Sequence, residues 1–87
     1  MLSGVTESGF EFEIDEEALD DMEYLEALAE AEDDSTRFPR VIEMTLGKEG
    51  KKRLYDHVRN EKGRASATKA IAEFTEILEK AGNQTKN

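Results

Sequence analysis

Apolar residues along the chain recur at two periods. Phe10-Glu11-Phe12-Glu13-Ile14 alternates apolar and charged positions, the pattern of a half-buried strand. From Asp15 the pattern becomes helical. Asp15 is suited to an N-cap, and Glu16 and Glu17 sit in the first turn, where the helix dipole favours anions. The stretch to about Glu32 contains neither Gly nor Pro and is rich in Leu, Ala and Glu, which predicts a helix. At about 100° per residue it carries two apolar stripes. Ala18, Met22, Leu25 and Ala29 form one; Tyr24, Leu28 and Ala31 form another, displaced well around the helix. One stripe faces the domain's own core. The other either widens that core or faces a partner, and Tyr24, Leu28 and Ala31 are the partner-binding candidates.

Asp33-Asp34-Ser35-Thr36 is a polar break suited to a turn and a cap. A short second helix follows, with Pro39 in its first turn, a buried face of Phe38, Val41, Ile42 and Thr45, and Gly47 as its stop. A third runs from near Lys48 to about Glu61, with Leu54, Tyr55 and Val58 inward and Lys48, Lys52 and Arg59 along a neighbouring face. Gly63 ends it in a tight turn. Ser66 caps a last helix to Ala81, before Gly82, whose stripe of Ala67, Ala70, Ile71, Phe74, Ile77, Leu78 and Ala81 is the broadest in the chain. Residues 1–9 read as a flexible lead-in and residues 83–87 as a polar tail. The expected fold is all-α: a small four-helix domain over residues 10–82 with an extended N-terminal segment, whose single strand has no evident partner.

Composition narrows the function classes. The 87 residues allow one domain, and Leu, Ile, Val and Phe together number only 18, so the core is thin. Zero Cys excludes a disulfide framework and thiolate metal sites. No apolar run approaches the ~20 residues of a membrane span, and the N-terminus lacks a signal-peptide shape, so no membrane association is expected. Charge is polarised: residues 1–34 carry 14 acidic and no basic side chains, whereas residues 35–87 carry 7 acidic and 12 basic ones. Such polarity keeps a small helical protein dispersed, or draws head to tail, within one molecule or between copies. The acidic half would repel phosphates, so nucleic acid is not an expected partner.

Candidate chemistry is sparse. His57 is the lone histidine, with no Cys or second His to complete a metal set, and reads as a solvated helix residue. No phosphate-cradling glycine loop and no nucleophile motif is present. Neither an enzyme nor a cofactor is expected, which leaves a generic acidic protein-interaction module as one reading. Lys48, Lys52 and Arg59 suit docking on an acidic face of another copy better than nucleic acid. Asp34-Ser35, opening the second helix, loosely resembles the acyl carrier proteins, whose Ser after Asp bears a phosphopantetheine arm. Thr36 stands where that family has Leu or Ile.

Residues 10–34 (FEFEIDEEALDDMEYLEALAEAEDD) and 46–82 (LGKEGKKRLYDHVRNEKGRASATKAIAEFTEILEKAG) together resemble the small tail assembly chaperones of long-tailed phages and prophages of Gram-positive bacteria. The shared order is an apolar-acidic lead, an acidic Leu-rich helix, a Leu-Gly break, a Gly-Arg turn and an amphipathic helix ending in Ala-Gly. The resemblance implies a non-enzymatic helical protein in the cytoplasm of the host bacterium. It would bind the tape measure protein, keep it soluble and help recruit the tail tube protein, with some members made in frameshift-extended forms.

Overall fold

A computed structural model describes residues 1–85. Two strands, β1 (Leu2–Val5) and β2 (Glu11–Ile14), precede four helices: α1 (Glu16–Leu19), α2 (Met22–Asp33), α3 (Phe38–His57) and α4 (Ala67–Thr85). A 3-10 turn, Ser35–Arg37, links α2 to α3. The chain is thus four helices with an extended N-terminal strand region. Residues 1–9 are not a flexible lead-in. Leu2 pairs with Ile14 and Val5 with Glu11, so the period-two segment has the start of the chain as its antiparallel partner. The turn closes because the Thr6 amide donates to the Phe10 carbonyl, the Phe10 amide donates to Thr6 Oγ1 and the Gly9 amide donates to the Thr6 carbonyl, while Gly9 takes a left-handed φ of 93°. Gly4 lies opposite Phe12 in the ladder, and a Cβ there would meet the Phe12 ring at 2.8 Å. The missing side chain leaves room for that ring.

Aspartates set the helix boundaries. Asp15 caps α1 by accepting from the Glu17 amide at 3.0 Å. The helix expected through Glu32 stops after one turn, because Asp21 takes an extended conformation and caps a new helix, accepting from the Glu23 amide at 2.8 Å. A short carboxylate competes for amides that a continuous helix would bond internally. Asp34 repeats the device, accepting from the Thr36 amide at 3.1 Å and from its hydroxyl at 2.7 Å.

The second and third expected helices are the two arms of α3, which meet at a kink. Gly47, at φ 78° and ψ 172°, is non-helical and stops the first arm where the sequence placed the stop, and the second arm begins directly after it. A Cβ at Gly47 would touch nothing within 4 Å, so only backbone strain opposes substitution there. Gly47→Ala is expected to lower unfolding free energy by about 1–2 kcal/mol, read as an earlier urea midpoint with an unchanged slope. Beyond α3, Asn60 accepts from the amides of Lys62 and Arg64, and Gly63 takes φ 80°. Ser66 caps α4 as expected, accepting from the Lys69 amide at 3.2 Å. The helix passes through Gly82 to Thr85, so residues 83–85 of the expected tail are helical; residues 86–87 lie outside the described residues.

The core sits where the hairpin, α2, α3 and α4 meet. Phe12, Ile14, Val41, Ile42, Leu54, Phe74 and Ile77 are its largest fully buried side chains. Phe38 meets Phe74 edge to face, with centroids 6.3 Å apart. β1 packs along α4 and β2 along α3, so the strand segment the sequence left unpartnered is central to the core.

Candidate binding surface

The two stripes of α2 have opposite fates. Tyr24 and Ala31 are buried, and Leu28 is partly buried against the core. These three, expected to meet a partner, are turned into the molecule itself. The cause lies at Tyr24, which is 3% exposed. Its hydroxyl lies 2.7 Å from Thr45 Oγ1, and Thr45 in turn donates to the Val41 carbonyl at 2.7 Å. Thr45 has one proton, which is spent on Val41, so Tyr24 donates to Thr45. Burial raises the Tyr24 pKa, and the Thr45 bond partly opposes that rise. α2 therefore docks with the face that satisfies a buried hydroxyl.

The other stripe is divided: Ala18 is half-buried in α1, and the part on α2 faces outward. Met22 is 72% exposed and Leu25 49%, with Ala29 exposed one turn further on. At i, i+3 and i+7 these make a seam about 10 Å long. Exposed carboxylates border it: Glu26 and Asp33 on one flank, Glu32 on the other. Within the described residues Glu26, Glu32 and Asp33 form no ion pair. Periodicity revealed both stripes, but nothing in it told which would face water.

The basic row is less available than its spacing suggested. Lys52 and Arg59 share Asp56, at 3.3 and 2.8 Å, and Arg59 also donates to the Gly63 carbonyl. Lys48 is exposed on the same segment. Hydrogen bonds from Arg59, then Lys52, hold the Asp56 carboxyl below the usual carboxylate range. Bonds from Thr36 do the same for Asp34, and Lys51 at 2.6 Å does so for Glu43. Groups depressed on folding stabilise the fold above the unfolded carboxylate pKa of about 4, and that contribution is lost as pH falls through the lower folded values. The urea midpoint is therefore expected to drop below about pH 4, and to drop less steeply in Asp56→Asn combined with Glu43→Gln.

His57 is not simply solvated. It lies against the Phe10 ring, centroids 5.3 Å apart, and its Nε2 is 2.8 Å from Ser8 Oγ. Thr6 and Ser8 each donate to Glu73 Oε1 at 2.8 Å. A serine, a histidine and a carboxylate thus meet, but in the wrong order for nucleophile activation. Glu73 lies on the Nε2 side, 4.0 Å away, and takes the Ser8 proton itself, so Nε2–H must donate to Ser8. An imidazole holding a proton toward the hydroxyl cannot remove one from it. The cluster instead ties the hairpin turn to α3 and α4, and the Glu7 amide adds a bond to Glu76 at 2.7 Å. Only the fold reveals it, since Ser8 and Glu73 are 65 positions apart.

Ser35 is exposed as the first residue of the 3-10 turn, beside Asp34, whose carboxylate is occupied by Thr36 and Arg37. Among the described residues no group of three or more His, Cys, Asp or Glu side chains could hold a metal, and no helix is long and apolar enough to cross a membrane. Compared with protein-family models, curated proteins and solved structures, the chain matches none.

Proposed function

We propose that the chain is a binding protein of the tail-assembly-chaperone kind, acting without catalysis in the host bacterium. Its client is the tape measure protein, whose apolar helical surface it covers while tail tube subunits are recruited. The reading rests on the resemblance over residues 10–82 and on one observation: Met22 and Leu25 stand in water on a helix whose other stripe already serves its own core. Covering a side chain of this kind contributes about 1.5–3 kcal/mol when burial is complete. A seam of two turns therefore supports reversible association, as a chaperone that must release its client requires.

Co-expression with the tape measure protein tests the proposal. The client is expected in the soluble fraction beside the parent chain and in the pellet beside Met22→Ser combined with Leu25→Ser. A client kept equally soluble by that variant overturns the reading. A phosphopantetheine mass on Ser35, in protein made by its native host, would move the chain to the carriers instead.

A further inference from the structure

We infer that the outward stripe of α2 accepts one kind of partner, an amphipathic helix whose apolar seam is bordered by Lys and Arg. The inference rests on the binding reading above and adds the charge of what is bound. The spacing of Met22, Leu25 and Ala29 is that of a helix-on-helix seam, in which the residues flanking the apolar line choose the partner by charge. All three helical residues that flank the seam, Glu26, Glu32 and Asp33, are acidic and exposed. The nearest cation in sequence, Arg37, is held by Glu30 at 2.7 Å and Asp34 at 3.6 Å.

A second observation concerns the end of the helix. Glu30, Glu32 and Asp33 crowd the C-terminal turn of α2, which has no basic residue. Anions there oppose the negative pole of the dipole. Arg37 answers Glu30 and Asp34 only, so Glu32 and Asp33 keep their repulsion on the exposed face, and a partner's cation beside either would relieve it. A second copy suits the site less well. Its own α2 would bring the same negative border, and most of the cations on and just after its α3 are engaged: Lys52 and Arg59 with Asp56, Lys51 with Glu43, and Arg53 over the Phe10 ring, which among the described residues leaves only Arg40 and Lys48 exposed on that helix without an ion pair or ring contact.

Two synthetic helical peptides with the same Leu seam, one flanked by Lys and one by Glu, provide the test. Each is titrated against the full chain by fluorescence anisotropy. The Lys-flanked peptide is expected to bind at least about tenfold more tightly in roughly 50 mM salt, with the ratio shrinking severalfold near about 500 mM. Glu26→Gln with Asp33→Asn should narrow the ratio, and Met22→Ser with Leu25→Ser should remove binding while circular dichroism stays unchanged. Equal binding of the two peptides overturns the charge inference, yet leaves client solubilisation, scored separately, standing. Lys-peptide binding that survives the Met22 and Leu25 changes, or self-association lost with them, overturns it as well. The first outcome makes the attraction unspecific, and the second assigns the stripe to another copy.

Discussion

Phe74→Ala is expected to lose about 3–5 kcal/mol of unfolding free energy. Phe74 is fully buried at the centre of the α4 stripe, edge-on to Phe38 and grouped with Ile77, Phe12 and Leu54 in the core. Truncation removes the largest apolar side chain of that helix and leaves a void that Ile77, already fixed one turn away, cannot fill. Domains of this size hold about 5–15 kcal/mol in total, and a small core puts this one toward the lower end. Urea titration followed by circular dichroism should show a much earlier midpoint, or a chain part unfolded without denaturant. A midpoint within error of the parent would mean that α4 does not pack as described.

The second large effect separates the two faces of α2. Tyr24→Asp with Leu28→Asp is expected to abolish cooperative unfolding. It places a carboxylate where Tyr24 is buried, facing a Thr45 hydroxyl already committed to Val41. An unpaired buried charge costs several kcal/mol, comparable to the whole stability of the domain. Met22→Ser with Leu25→Ser changes a similar number of atoms on exposed positions and should stay within about 0.5 kcal/mol of the parent. Thermal unfolding of both variants, monitored at two wavelengths, measures the contrast directly. Equal loss in both would mean that the stripes had been assigned to the wrong faces.

Much of the helical architecture was legible because it follows from local chemistry. Asp15 and Ser66 cap the helices they were expected to cap, and the α4 stripe buries Ala70, Phe74, Ile77 and Ala81. Asp21 carried a readable signal as well, since it stands one residue before a helical run, but the helix propensity of its neighbours masked the break. β1 was hidden for a different reason. Ser3 and Gly4 interrupt any alternation between Leu2 and Val5, and strand pairing is a long-range choice that no local pattern encodes. Gly47 is legible as a helix stop, since a positive φ favours glycine, but the direct restart of the next arm after the kink is set by packing. The inward face of α2 was undecidable in the same sense: two stripes of similar strength compete, and a hydroxyl contact 21 positions away chooses between them. The Ser8, His57 and Glu73 cluster joins three distant segments and leaves no mark on any one of them.

Gln84 Nε2 donates to the Ser3 carbonyl at 2.6 Å, and β1 lies along α4, so the hairpin leans on a helix that is translated well after it. On the ribosome the hairpin emerges before α4 and waits, its Phe12 and Ile14 without their full cover until α4 has been made. Folding should therefore finish late, in one closing step. Polysomes stalled before α4 would then carry nascent chains that proteases cut readily.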